Sequence, residues 1–280
     1  MNITINGNTE IYCIYGHPVK HSKSPIFQTF LFQKYGINAI YIPFEIKPEN
    51  IKDAINAIRI FNIKGTNITV PHKESVISYL DDLSDEVKTI KAVNTIKNID
   101  GKLYGYNTDW YGFYESIKRN LKENKIKTAL VIGAGGSTRA IIFGLIRLNV
   151  DHIIITNRTV SKAEEIKNDF INLHKEISVI PLEEINKCLL DVDIIINTTS
   201  VGLKDDGVDL FDYDNISSNQ IIFDVIYKET KLIKKAQEKG CEYLTGHDML
   251  IYQGIKAFEI WTDIYPNEES IFHIRKLISH

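Results

Sequence analysis

Short β-branched runs alternate with amphipathic stretches of helical length along almost the whole chain, and this alternation restricts the fold more than any other feature. The strand-like runs are Glu10 to Tyr15, Ala39 to Phe44, Gly65 to Thr69, Ala92 to Lys97, Thr128 to Ile132, His152 to Thr156, Asp193 to Asn197, Ile221 to Val225 and Cys241 to Leu244. Helical patterns fall between them, among others Pro25 to Tyr35, Pro48 to Phe61, Ser137 to Leu148, Ser161 to His174 and Leu232 to Lys239. Strands separated by helices predict α/β architecture with largely parallel sheets, because a parallel pair needs a long crossover. At 280 residues the chain is long enough for two medium domains. The charge-rich stretch IKRNLKENKIK, Ile117 to Lys127, precedes a fresh strand and marks a domain boundary near there.

Composition narrows the function classes. The net charge of −3 shows no basic excess that would draw nucleic acid or an anionic membrane surface. The polar start, Met1 to Glu10, does not read as a signal peptide, and the apolar run Ala140 to Leu148 is too short to span a bilayer. Cys13, Cys188 and Cys241 lie far apart without metal-ligand spacing, which suits free thiols in a reducing, cytoplasmic compartment.

TALVIGAGGSTRA, Thr128 to Ala140, reads as a buried strand running through glycines into a helix, the setting of a phosphate-binding turn. Gly133 permits the tight turn, while Gly135 and Gly136 clear the approach to backbone amides at the helix start. The sixth position of the common glycine pattern is Thr138. After the next strand, a binder of the unphosphorylated dinucleotide would show an acidic residue about 20 residues on, to accept from the ribose. The chain has Asn157, Arg158 and Thr159 there, with Lys162 close behind, and a guanidinium fits a 2′-phosphate, so NADP is favoured over NAD.

Three segments of the first half place polar groups near expected helix starts. Ser24 is positioned to cap a helix opening at Pro25, with Ser22 beside it, and such an end suits a carboxylate. After the strand ending at Thr69, a helix starting near Pro71 would put Lys73 in its first turn, where a cation opposes the helix dipole and so suggests a task. Thr108 and Asp109 stand where an N-cap is expected. His17, His21 and His72 lack carboxylate or cysteine partners at ligand spacing, so no metal site is expected, and no nucleophile motif of a hydrolase is present.

The segments GHPVKHSKSP, GTNITVPHKE, AVNTI, GYNTDWYGF, VIGAGGSTRA, NRT, NTTSVGL and GHDMLIYQGIKAFEIW, in that order from about Cys13 to Thr262, resemble the motif set of the shikimate dehydrogenase family. The resemblance implies an N-terminal α/β substrate domain with a mostly parallel sheet, a Rossmann NADP-binding domain and a C-terminal helix returning to the first domain. The boundaries follow as 1–110 with 247–280, and 111–246. It implies reversible NADPH-dependent reduction of 3-dehydroshikimate to shikimate in aromatic amino-acid biosynthesis, by a monomer or homodimer. By similarity, Lys73 and Asp109 are the catalytic pair, and Ser22, Ser24, Thr69, Asn94, Tyr227 and Gln253 bind substrate. Gly133, Ala134, Gly135, Gly136, Ser137, Asn157, Arg158, Thr159, Lys162, Thr198, Gly246 and Met249 bind cofactor. Alternatives are a quinate/shikimate dehydrogenase of broader use and a non-catalytic NADP-responsive binding protein. The chain departs from the family pattern at Gln28-Thr29 in place of His-Asn, at Lys91 in place of Gly, and in a shorter, proline-free interval from Tyr227 to Thr230.

Overall fold

The computed structural model describes residues 5–121, 126–174, 176–204 and 207–278; residues 1–4 of the polar start and 122–125 of the charge-rich stretch fall outside these. The chain packs as two compact units, Met1–Thr108 with Ile251–His280, and Asp109–Leu250. Among the described residues no helix is long and apolar enough to cross a membrane.

The first unit runs β1 (Glu10–Gly16), α1 (Ser24–Lys34), β2 (Ala39–Glu45), α2 (Ile51–Ile60), β3 (Gly65–Ile68), β4 (Asp82–Leu83), α3 (Asp85–Ile90), β5 (Thr95–Ile99) and β6 (Lys102–Tyr106). Its sheet has the order β2-β1-β3-β5-β6-β4. The pairs β1–β2, β1–β3 and β4–β6 are parallel, whereas β3–β5 and β5–β6 are antiparallel. In α2 the four- and three-residue spacing of Ile51, Ile55 and Ile58 turns one face inward, and all three enter a core with Cys13, Tyr15 and Ile96.

The second unit contains α4 (Asp109–Asn120), β7 (Thr128–Ile132), α5 (Gly136–Arg147), β8 (His152–Thr156), α6 (Val160–Phe170), β9 (Ile177–Ile180), α7 (Ile185–Cys188), β10 (Ile194–Asn197), β11 (Ile221–Asp224), α8 (Lys231–Glu238) and β12 (Glu242–Thr245). Its sheet is parallel throughout, in the order β12-β11-β10-β7-β8-β9. Alternate residues feed two cores: Ala129, Val131, Ile153 and Ile155 one, Leu130, Ile132, Ile154 and Ile195 the other. A sheet covered on both faces explains why its strands read as unbroken apolar runs. Helix α9 (Gly246–Thr262) crosses the division between the units, and α10 (Glu268–Ile278) packs on α1 in the first, with Phe30 stacked on His273 at 4.6 Å.

Several local expectations are corrected. No α-helix starts near Pro71; residues 70–76 form turns before a single 3-10 turn at Ile77–Tyr79, so the dipole argument for Lys73 lapses. Ser24 is the first residue of α1 rather than its cap, and its backbone N–H donates to the Ser22 hydroxyl at 3.3 Å. Ile117 to Asn120 of the charge-rich stretch close α4, which packs inside the second unit with Phe113 against Phe223 at 5.0 Å, so the division between the units falls earlier, after Thr108. The hairpin β5–β6 turns at Asp100-Gly101, both at positive φ (51° and 86°), where Ile99 pairs with Lys102 across a two-residue loop.

The family departures have physical consequences. Lys91 ends α3 in the left-handed region at φ 55°, a conformation that glycine adopts without steric cost. Gln28 is fully buried, its amide donating to the Gly254 carbonyl at 2.8 Å, which ties α1 to α9. In the shortened interval, Thr230 caps α8 and donates to Asp224 at 2.8 Å.

Candidate active site

In the first unit the chemistry-bearing residues lie at the carboxyl ends of β1 and β3 and at the entry to β5. Thr69 follows β3, its N–H bonded to the Tyr15 carbonyl at 2.9 Å, and the Lys73 carbonyl accepts from Val93 N–H at 2.8 Å, which brings the Lys73 turn beside Asn94. Lys73, Thr69, Ser22 and Gln253 are partly exposed, whereas Ser24, Asn94 and Asp109 are buried.

Asn94 is the hub. Its amide oxygen accepts from Thr108 N–H at 2.7 Å and from the hydroxyls of Thr108 and Thr95, and its amide nitrogen donates to the Thr108 hydroxyl at 2.9 Å and to Gln253 Oε1 at 3.3 Å. Behind it, Asn67 Nδ2 donates to the Asn94 carbonyl and to Thr95 Oγ1, both at 3.1 Å, and the Tyr41 hydroxyl donates to Asn67 Oδ1 at 2.6 Å. The structure thus joins Asn94, Thr108 and Gln253, and Asp109 follows Thr108 directly at the start of α4. Asn67, Tyr41 and Thr95 escaped attention as working residues, and Thr108 was expected only near an N-cap; the one available signal was a polar Asn inside the strand-like GTNIT, where β-propensity disfavours it. His72 is bound by Nε2 to the Ile46 carbonyl at 2.7 Å, and His17 pairs with Glu45 at 3.1 Å. Among the described residues no group of three or more His, Cys, Asp or Glu is placed to hold a metal ion.

In the second unit the strand order reverses between β7 and β10, and ligands of such sheets bind outside the carboxyl ends at that point. Gly133 turns the chain there at φ 122°, and a Cβ on it would strike the Thr198 hydroxyl. Thr198 donates to the Ile132 carbonyl at 2.8 Å and meets the Thr138 hydroxyl at 2.7 Å; Thr138 also accepts from Gly135 N–H at 3.1 Å. Thr138 therefore cross-braces the turn, a role its place in the glycine pattern did not reveal.

Gly135 is exposed, and a Cβ added to it would have nothing within 4 Å, so a phosphate can approach the opening of α5, next to Gly136 and Ser137. Arg158 and Lys162 are exposed beyond β8, while Asn157 braces its own turn by donating to the Thr159 carbonyl at 2.9 Å. The donor set fits a dinucleotide with an added phosphate. Ala134 is partly exposed in the turn, and Met249 is largely buried in the apolar core.

Asp224, at the end of β11, is fully buried and accepts from Asn197 Nδ2 at 3.0 Å, Ile226 N–H at 3.0 Å and Thr230 Oγ1 at 2.8 Å. Burial lifts its carboxyl to about 6, against the three donors that pull it down. It pins the chain on either side of Tyr227, whose half-buried ring meets His247 edge-on at 6.0 Å and whose phenol burial holds above its ordinary range. Gly246 opens α9 against the Val225 carbonyl, where a Cβ would collide.

Residues 14–96 match the shikimate dehydrogenase substrate binding domain, 115–204 the shikimate / quinate 5-dehydrogenase family, and 246–271 the shikimate 5′-dehydrogenase C-terminal domain. The chain belongs to the shikimate dehydrogenase family. Shikimate dehydrogenase (NADP(+)) of Aquifex aeolicus is 47% identical over 260 residues, covering 92% of this chain and 93% of that protein. The crystal structure of the shikimate dehydrogenase from Aquifex aeolicus superposes with a TM-score of 0.90 at 44% identity, covering 97% and 99% of the two chains. The Thermus thermophilus shikimate 5-dehydrogenase, solved with NADP(H) and shikimate, gives 0.85 at 30% identity over 95% and 98%. As in other shikimate dehydrogenases by these measures, an α/β substrate-binding region precedes a Rossmann-like one.

Proposed function

We propose that this chain catalyses the reversible NADPH-dependent reduction of 3-dehydroshikimate to shikimate, a step of aromatic amino-acid biosynthesis. The observation that carries the reading is its 47% identity, across 92% of its length, to a relative named shikimate dehydrogenase (NADP(+)). The reading takes residues 1–110 with 247–280 as the substrate-binding part and 111–246 as the cofactor-binding part. It takes the chain as a cytoplasmic monomer or homodimer, in keeping with the free thiols of Cys13, Cys188 and Cys241.

The turn Gly133 to Ser137 holds the pyrophosphate through backbone amides at the start of α5, with Thr198 backing the turn. Asn157, Arg158, Thr159 and Lys162 hold the adenosine end, the guanidinium meeting the 2′-phosphate. Gly246 and Met249, with Tyr227, would approach the nicotinamide end. When bound, the nicotinamide supplies hydride to the C3 carbonyl carbon or takes it back.

Lys73 holds the proton. Its ammonium hydrogen-bonds the C3 carbonyl oxygen and donates as negative charge develops there; in the oxidising direction the neutral amine accepts that proton. Asp109 orients the ammonium and accepts from the neighbouring hydroxyl. Ser22 and Ser24 bind the substrate carboxylate, and Thr69, Asn94, Gln253 and Tyr227 bind its hydroxyls and ring edge. A site built of so many hydrogen bonds rejects analogues that lack a hydroxyl.

Purified protein mixed with shikimate and NADP⁺ should raise the absorbance of reduced nicotinamide, and Lys73→Ala should lose kcat far more than it changes KM. Unchanged turnover in Lys73→Ala would remove Lys73 from the mechanism. Cofactor binding without turnover would favour the non-catalytic alternative, and equal use of quinate and NAD the broader dehydrogenase.

A further inference from the structure

Gln28 is 0% exposed, and its side chain reaches from α1 to α9, where Nε2 donates to the Gly254 carbonyl at 2.8 Å. That carbonyl can only accept, so the amide must turn its nitrogen toward it. The amide oxygen then faces away, buried and without a hydrogen-bond partner among the described residues. A buried acceptor left unpaired destabilises a fold, and an apolar side chain of similar size would avoid that cost, so stability alone does not account for an amide here.

The bond falls where both helices carry residues assigned to substrate above. Ser24 and Gln28 are four residues apart in α1, hence on one face and a turn from each other. Gly254 directly follows Gln253 in α9, and Gln253 Oε1 accepts from Asn94 Nδ2 at 3.3 Å. The helices cross closely at this point: a Cβ on Gly254 would lie 2.4 Å from the Phe27 ring, and Phe258, a turn further along α9, packs on Phe32 at 5.4 Å. Glycine and rings bring the backbones close without fixing how far one helix slides or rolls on the other. A directional bond to a single carbonyl removes that freedom.

We propose that Gln28 is a positioning residue: it clamps the turn of α9 that carries Gln253 to the turn of α1 that carries Ser24, and so holds Gln253 at the distance the substrate needs. The inference deepens the reading above and rests on its assignment of Ser24 and Gln253 to substrate. Because Gly254 lies inside α9, its carbonyl keeps the helical bond from the N–H four residues on, so loss of the Gln28 amide strands no backbone group.

The test is a double-mutant cycle on shikimate KM with Gln28→Leu and Gln253→Ala. Gln28→Leu alone should raise shikimate KM several-fold and leave the NADP⁺ KM and most of kcat intact, a split that general loosening of the fold would not produce. In the Gln253→Ala background the same change should alter shikimate KM by less than about twofold, since its effect passes through Gln253. Gln28→His keeps an N–H at similar reach and should stay nearer the native KM than Gln28→Leu does. A native shikimate KM in Gln28→Leu, or an effect that persists in full without the Gln253 side chain, overturns the proposal and leaves the substrate assignments standing. An unchanged shikimate KM in Gln253→Ala removes the assignment of Gln253, and the proposal with it. Should Gln28→Leu not fold, Gln28→Met, unbranched and lacking the amide, takes its place in the same cycle with the same outcomes.

Discussion

The Asn94 amide oxygen accepts the backbone N–H of Thr108 at 2.7 Å, a bond between residues 14 apart that holds the chain where it passes from β6 into α4. Asn94 is 3% exposed and serves Thr95, Thr108 and Gln253 together. Asn94→Ala strands the buried Thr108 N–H, at a cost of about 1–3 kcal/mol when left unpaired, while the Thr95 and Thr108 hydroxyls keep each other at 3.4 Å. Chemical denaturation should show a loss of at least one such increment, and kcat/KM for shikimate should fall by roughly 100-fold or more. Native stability in the variant would show that the hub is not structural.

Arg158 is exposed beyond β8, where a binder of the unphosphorylated dinucleotide would carry an acidic residue for the ribose. Charge-assisted hydrogen bonds contribute about 1.5–3 kcal/mol, so Arg158→Ala should raise the NADP⁺ Kd by roughly 10- to 100-fold and leave NAD⁺ binding nearly unchanged. Calorimetric titration with both dinucleotides decides the matter; equal weakening of the two would refute the phosphate contact.

Lys91 sits at φ 55° in the left-handed region and is exposed. Relief of its steric cost, about 1–2 kcal/mol, outweighs the added chain entropy of glycine, about 0.5–1 kcal/mol. Lys91→Gly should therefore raise stability by about 0.5–1 kcal/mol, seen as a higher denaturation midpoint with an unchanged slope.

Asp224 carries the pH dependence. Its folded value of about 6 lies above its ordinary 3.8, so the folded state prefers the protonated carboxyl. Its contribution is fully present below about pH 3.8 and is lost as pH rises through 6, by about 3 kcal/mol at order of magnitude. Urea titrations from pH 4 to 7, a range bracketing these values, should show the native chain losing stability relative to Asp224→Asn as the carboxyl ionises. Parallel curves for the two proteins would exclude Asp224 as the titrating group.

Much of the second unit is legible in the sequence because its signals are local. β7 and β8 match the expected runs to the residue, since a parallel strand buried on both faces is a continuous apolar run. The segment after β3 is not legible: TVPHKE has the composition of a helix start, yet residues 70–76 form turns whose backbone bonds include one from Val93 to the Lys73 carbonyl, a partner that no local pattern can supply. β9 escapes sequence reasoning because ISVI is short and partly exposed at the edge of its sheet.

The order of strands and helices, the glycine turn, the Arg158 position and the family motifs follow from residue types at short range, where sterics and periodicity act. Which amide atoms donate and which accept at Asn67 and Asn94, and how Asp224 braces the chain around Tyr227, depend on groups that meet only after distant segments pack. Hydrogen-bond direction in a buried cluster is a property of those meetings, so tertiary structure alone decided it.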